Sequence, residues 1–328
     1  MEFTGMWLSC GFCVIIIATG RYLAMLNRKR TKAGLAMLLI CLSLGIVAEG
    51  SDDGWKQLDK GLYFREFDSP VKSKIGDSRI TVVKIDPSYY SFKLLTIYEY
   101  GGQARTSKEW AKEHGLLVVV NAGMFQVDGS THVGHMKNYN SVNNPRILKS
   151  YKSIFAFNPA VPAVPEAMLI DLDCQAFDNF KDKYNTFVQN IRMIDCKQKN
   201  VWSRQPGNWS MVVLAEDTKG NVLFIYTGTP YTVHDFIEIL MKLPLSIQGA
   251  TYLEGGRLAS LYVSVNGFEA DKYGIYNSSG ELSGNNGNQA WPIPNVIGVV
   301  KKYGANNKAG FNSKASSNSK ANFNNKSK

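Results

Sequence analysis

Between residues 55 and 303 the chain is a succession of short β-branched and aromatic runs, each closed by a breaker. Any fold has to satisfy that rhythm. The run at 79–85 ends at Asp86-Pro87, and a second run follows at 92–98. Leu116-Leu117-Val118-Val119-Val120 is apolar without interruption, as expected of a strand covered on both faces. Further strands are expected at 153–157, 168–170, 210–215, 222–226, 251–254, 261–265 and 296–300. Two helices fit between them. One covers 107–114, with Ser107 as N-cap and Gly115 as stop. The other covers 233–242, capped by Thr232, with Asp235 in its first turn and Pro244 beyond its end. Strands outnumber helices, but the helices alternate with strands locally. The expected fold is therefore α+β: a single domain with a large mixed, mainly antiparallel sheet flanked by helices, and no internal repeat.

The ends of the chain differ from its body. Residues 33–48 form a continuous apolar run, preceded by Asn27-Arg28-Lys29-Arg30-Thr31-Lys32 and followed by Glu49 to Asp53. A basic segment, 16 apolar residues and then polar sequence make the pattern of a secretory signal, cleaved near Ala48. A second apolar run, Met6 to Ala18, lies upstream. Either Met25 is the true start and 25–48 the signal, or residues 1–48 anchor the protein in a membrane. Secretion or periplasmic export is the expected location, with membrane contact only through this N-terminal segment. Residues 304–328 are rich in Lys, Asn and Ser and too poor in apolar groups to fold, so they read as a solvated tail.

Charge follows the same division. Residues 1–48 carry five basic residues and one acid, residues 301–328 carry seven lysines and no acid, and the body carries 25 basic against 26 acidic residues. The net +10 belongs to the ends, so no nucleic-acid groove is indicated. Cys10, Cys13 and Cys41 fall in the N-terminal region. Cys174 and Cys196 remain, and in an exported body they would pair, closing a loop of about 20 residues worth roughly 3 kcal/mol, the alternative being two buried free thiols.

Chemistry is expected where apolar strands run into small and polar residues. At Val118–Phe125, Asn121 could hold a ligand or satisfy loop backbone, and Gly123 allows a tight turn. At Tyr252–Tyr262, Glu254 stands before Gly255 and Gly256, with Ser260 beyond. Glu254 could be a nucleophile or general base, or could pair with a structural arginine. Gln189-Asn190 precedes Arg192, and Ser203-Arg204-Gln205-Pro206-Gly207-Asn208-Trp209 supplies Arg204. Both guanidinium groups suit phosphate, though either could be a solvated charge. Trp202 and Trp209 could stack on a sugar or pack in the core. Asp128, His132 and His135 lack zinc spacing, so loop hydrogen bonding or substrate contact is expected of them and no metal is assigned.

These segments resemble the phosphodiester glycosidase family. The likeness rests on NAGMF at 121–125, the QN…R segment at 189–192, SRQPGNW at 203–209, LEGGRLASLYV at 253–263 and the closing Pro292–Val299, and it spans roughly residues 60–301. The chain departs from the family at Glu254, where Asp is common, and at Arg257-Leu258. The resemblance makes 55–303 a catalytic domain that hydrolyses a sugar-1-phosphodiester at its glycosidic carbon. It implies Glu254, Arg204 and Arg192 as catalytic residues, and Asn121, Gly123, Asn190, Gly255, Gly256 and Ser260 as substrate-binding ones. The partner implied is a sugar phosphodiester or phosphate-containing glycan. No cofactor is required, and a divalent cation such as calcium is left open. A non-catalytic module binding the same kind of polymer is the alternative.

Overall fold

The computed structural model describes residues 54–276, 281–282 and 289–302. The expected signal segment, the tail, and Cys10, Cys13 and Cys41 lie outside the described residues. Along the chain come β1 (Lys56–Asp59), β2 (Leu62–Asp68), β3 (Arg79–Ile85), β4 (Tyr90–Thr96), helix α1 (Ser107–His114), β5 (Val118–Asn121), β6 (Met136–Asn138), β7 (Ser141–Asn144), β8 (Ser153–Pro159) and β9 (Ala167–Asp171). Then follow β10 (Tyr184–Ile194), β11 (Trp209–Asp217), β12 (Val222–Tyr231), helix α2 (Val233–Lys242), β13 (Ile247–Gly255), β14 (Ser260–Val265), β15 (Phe268–Tyr273) and β16 (Asn295–Lys301).

These strands make two sheets. The larger has 11 strands in the order β1-β2-β3-β12-β11-β13-β10-β6-β7, with β8 also on β10 and β9 on β8. The smaller has five, β15-β14-β5-β16-β4. Every ladder between these strands is antiparallel. The sheets share one apolar layer. Val83, Val212, Leu214 and Phe224 of the large sheet pack with Phe92, Val118, Val120, Leu261 and Ile297 of the small one. On the other face of the large sheet, Val82, Val213 and Ile225 pack with Phe236, Ile237 and Leu240 of α2. On the other face of the small sheet, Val119, Tyr262 and Val296 pack with Trp110 and Ala111 of α1.

The fold is therefore mainly β, and the expected α+β domain built on a single mixed sheet is corrected to two antiparallel sheets. The misleading signal has a physical source. Val118-Val119-Val120 is buried on both faces because β5 is sandwiched between the other sheet and α1. A strand in a helix-covered mixed sheet would carry the same apolar run. Antiparallel pairing also needs only short connections, so few helices are required.

Both helices form where their caps place them. Thr106, one residue before the expected cap, accepts from the Glu109 N–H while Glu109 bonds back to Thr106, a capping box. Gly115 closes α1 at φ 62°, where a left-handed residue is needed. Thr232 caps α2 through the Asp235 N–H. Trp110 locks α1 onto the small sheet. It is fully buried, and its indole N–H donates to the Ile293 carbonyl at 3.0 Å. Trp110→Ala should lower unfolding free energy by about 3–5 kcal/mol in a denaturant titration. Trp110→Phe, which loses the donor but keeps a ring, should cost about 1–3 kcal/mol.

Candidate functional site

β10 and β13 pair at Ile191–Tyr252 and Arg192–Thr251. Beyond Tyr252 the partnership ends, and β10 pairs over residues 184–190 with β8 instead. Asn190 and Glu254 thus both stand just past the point where the two strands part. A register shift between β11 and β13 sets Glu254 opposite Val212, and Tyr252 opposite Val213. Val212 belongs to the layer between the sheets, so Glu254 shares that inner face. Glu254 is only 8% exposed. Its Oε1 accepts from the Gly255 N–H at 2.9 Å, and among the described residues no cation pairs with it. Burial pushes its carboxyl up to about 7, against the pull of that single hydrogen bond. The structural-arginine reading of Glu254 does not apply.

The glycines after Glu254 serve close packing of the chain. A Cβ on Gly255 would lie 2.0 Å from the Tyr252 hydroxyl and 2.6 Å from the Trp209 indole nitrogen. Gly256 has φ +64°, and its carbonyl would lie 1.7 Å from a Cβ on Gly274. Tyr252 joins the buried cluster against which Met124, Ile191, Trp202 and Trp209 pack partly exposed. These four offer apolar surface on the sheet face opposite the Glu254 side chain. Arg257 lies over the Trp291 ring at 4.2 Å. Sequence reasoning did not single out Tyr252, whose role depends on the bulge beside it.

The second element is the end of β5. Asn121 is buried, donates to the Leu258 carbonyl at 2.9 Å and accepts from the Ser260 N–H at 2.8 Å. Both ends of its amide hold the loop after Glu254, so its role is the loop-bracing one. Ser260 is buried and its hydroxyl bonds that of Ser107, tying β14 to α1. Gly123 is where β5 meets β10. The Asn190 Nδ2 donates to the Ala122 carbonyl at 2.8 Å, and a Cβ on Gly123 would lie 2.1 Å from Asn190 Oδ1 and 2.4 Å from the His132 ring. With φ +149° as well, this position requires glycine.

His132 is fully buried, and burial holds its imidazole down near about 4. As a neutral ring it donates from Nε2 to the Gln189 carbonyl at 2.7 Å. His135 bonds the Asn144 carbonyl through Nδ1 at 3.1 Å, and Asp128 caps its own turn through the Ser130 and Thr131 N–H groups. Each of the three is used in loop hydrogen bonding. Among the described residues the group spaced to hold a metal is Asp171 with Cys174 and Cys196, whose sulfurs are bonded to each other.

The arginines are placed differently from the expected pair of phosphate clamps. Arg192 gives one Nη to Asp171 and the other to Asp173, at 2.8 Å for the latter. Asp171 also accepts from the Cys196 N–H at 2.9 Å, so the disulfide and the arginine share one carboxylate. The cavity beside this group, about 280 Å³, is lined by Arg192, Asp171, Cys174 and Cys196 but not by Glu254. Arg204 lies on the 201–208 loop with its side chain 76% exposed, 3.3 Å from Asp235 of α2. Asn121, Arg192, Arg204 and Glu254 therefore do not form one ring of side chains. Asn190 meets Gly123 just past the point where the strands part, Glu254 stands past the same point on β13, and Arg192 is two residues beyond Asn190 on β10, already neutralised.

A family model described as phosphodiester glycosidase matches residues 114–300. Among solved structures, a hypothetical protein from Synechocystis is similar with a TM-score of 0.54 at 13% identity, over 76% of this chain and 63% of that one. The chain thus spans less than two thirds of that relative. The catalytic domain of zebrafish N-acetylglucosamine-1-phosphodiester α-N-acetylglucosaminidase, auto-inhibited by its pro-peptide, is similar with a TM-score of 0.50 at 11% identity, over 74% of this chain and 84% of that one. No curated protein matches by sequence.

The buried carboxyl has a consequence for stability. An unfolded Glu254 titrates near 4.5 and the folded one near 7, so between those values the folded chain holds the extra proton. The contribution of this group to stability is fully present below the lower value and is lost, by about 3 kcal/mol, as pH rises through the interval. Glu254→Gln keeps an acceptor for Gly255 and removes the titration. Equilibrium unfolding at pH 5 and pH 8 should show the variant gaining on the wild type by about that amount at the higher pH. Equal pH dependence in both proteins would mean that Glu254 titrates normally.

Proposed function

This chain belongs to the phosphodiester glycosidase family, and we propose that it is an exported hydrolase that splits a sugar-1-phosphodiester at the anomeric carbon. The observation that carries the reading is Glu254, a lone carboxyl buried at a strand end inside the matched segment, with its titration near 7. A base is most effective when its pKa lies close to the working pH. At neutral pH part of the population is ionised and able to take a proton from water attacking the sugar, or to attack the sugar itself. The departing group is a phosphate monoester, which leaves without a strong acid to protonate it.

Asn190, just past the same strand end, has a buried Oδ1 without a protein partner, packed against Gly123. Arg204 is the expected phosphate cation that keeps most of its guanidinium in solvent, and it would face the developing charge after a movement of its loop. Export is supported by the Cys174–Cys196 bond and by the apolar run at 33–48. The zebrafish relative's name makes an N-acetylglucosamine phosphodiester the first substrate to try.

The test is release of free sugar from UDP-N-acetylglucosamine and from nitrophenyl sugar phosphodiesters. Wild type should turn over, with kcat/KM rising with pH through about 7 because the ionised carboxyl is the active form. Glu254→Gln should lose about 10²–10⁴-fold in kcat. Arg204→Ala should lose about tenfold or more, less in substrates with a better leaving group. Saturable binding without turnover would favour a glycan-binding module instead.

A further inference from the structure

The body has no internal repeat, but the sequence after β16 has one. Lysine recurs every six residues, at Lys302, Lys308, Lys314, Lys320 and Lys326. Ala309, Ala315 and Ala321 each follow a lysine, and Asn306, Asn312, Asn318 and Asn324 each stand four residues after one. Residues 303–328 hold five lysines and no acid. Solubility alone requires polar residues but no period.

The period favours some conformations over others. In an α-helix a six-residue step turns about 240°, so successive lysines would scatter over three sides. Six is a multiple of both two and three, so a β-like or a polyproline chain would set every lysine on one side. Covalent geometry then allows at most about 20 Å from one lysine to the next. An even line of cations matches a linear ligand that repeats a negative charge along its length. A bilayer surface is matched instead by clustered lysines or by an apolar stripe. From Gly304 onward the large apolar side chains are Phe311 and Phe323 alone.

The folded body adds cations at the root of this segment. Lys301, the last residue of β16, pairs with Asp59 at 2.6 Å, and Lys302 pairs with Glu166 at 2.8 Å. The Lys302 N–H donates to the Tyr89 carbonyl at 2.9 Å. Lys60 lies over the Tyr89 ring at 4.8 Å, and Lys56, at the other end of β1, lies over Phe268 at 4.4 Å. Both are exposed, and among the described residues no carboxylate pairs with either side chain. The body as a whole carries 25 basic against 26 acidic residues, so these two cations are a local feature.

We propose that residues 303–328, with Lys56 and Lys60 at their root, are a binding arm for a linear polyanion of phosphodiester-linked units. The arm holds such a polymer at the enzyme and raises the concentration of its linkages near the site. That the polymer is also the substrate rests on the catalytic reading above. Binding by the arm does not.

The probe is lipid-free poly(glycerol phosphate) carrying a fluorescent end label, titrated by anisotropy with the full chain. Wild type and Glu254→Gln should bind alike. Between about 50 mM and about 200 mM salt, log K should fall against log salt with a slope of about −3.5, from five lysines at about 0.7 each. Changing Lys308, Lys314, Lys320, Lys326 and Lys328 together to Gln should weaken binding by about tenfold or more at the lower salt and flatten the slope. A chain ending at Tyr303 should behave as that variant does. Lys56→Gln with Lys60→Gln should weaken binding about twofold to fivefold. Unchanged affinity in the tail variants or in the Lys56 and Lys60 variant overturns the arm, as does a salt-independent wild type. Tighter binding to vesicles of phosphatidylglycerol and phosphatidylcholine than to the polymer overturns it in favour of a membrane surface. If the polymer is cleaved, its KM should rise in the tail variants while that of UDP-N-acetylglucosamine stays unchanged. Absent cleavage with binding intact counts against the catalytic reading alone.

Discussion

The apolar layer between the two sheets is the constraint from which the rest follows. Val83, Val212 and Phe224 on one side and Val118, Val120 and Ile297 on the other exclude water from the whole inner face. A carboxylate placed at the margin of that layer loses its hydration, and with a single backbone donor in exchange it holds its proton to higher pH. The same exclusion makes the amide of Asn121 and the ring of His132 bond backbone groups across the loops they brace.

Charge is handled by pairing rather than by concentration. Arg192 has two carboxylates, and its partner Asp171 is itself tied to the backbone next to the disulfide. Cys174 and Cys196 are 22 residues apart in sequence, and their bond holds the segment after β9 beside the end of β10, where that ion pair forms. A cation so enclosed shapes its surroundings. Arg204, exposed and loosely paired, is free to respond to a ligand.

Much of the local structure was legible. The run at 79–85 and both helices appear where the pattern placed them, because alternation, caps and a following Gly or Pro act within a few residues. β1, β2, β6, β7, β10 and β15 were not singled out. β6 and β7 are short, and β10 carries Gln189, Asn190 and Arg192 in its interior, polar residues that read as a loop. Their burial is tolerated because Gln189 bonds the Leu148 and Tyr151 carbonyls and Asn190 the Ala122 carbonyl. Such partners are distant in sequence.

The amino-acid order by itself determined most of the strands, both helices, the cap of α2, the pair of cysteines available to bond, and the segments that mark the family. Those are properties of neighbours along the chain. Tertiary structure decided that the strands divide into two sheets, that Glu254 faces inward past a bulge beside Asn190, and that Arg192 is spoken for by Asp171 and Asp173. The reason is that burial and ion pairing depend on which strand comes to lie beside which, and a residue's type does not state its partner.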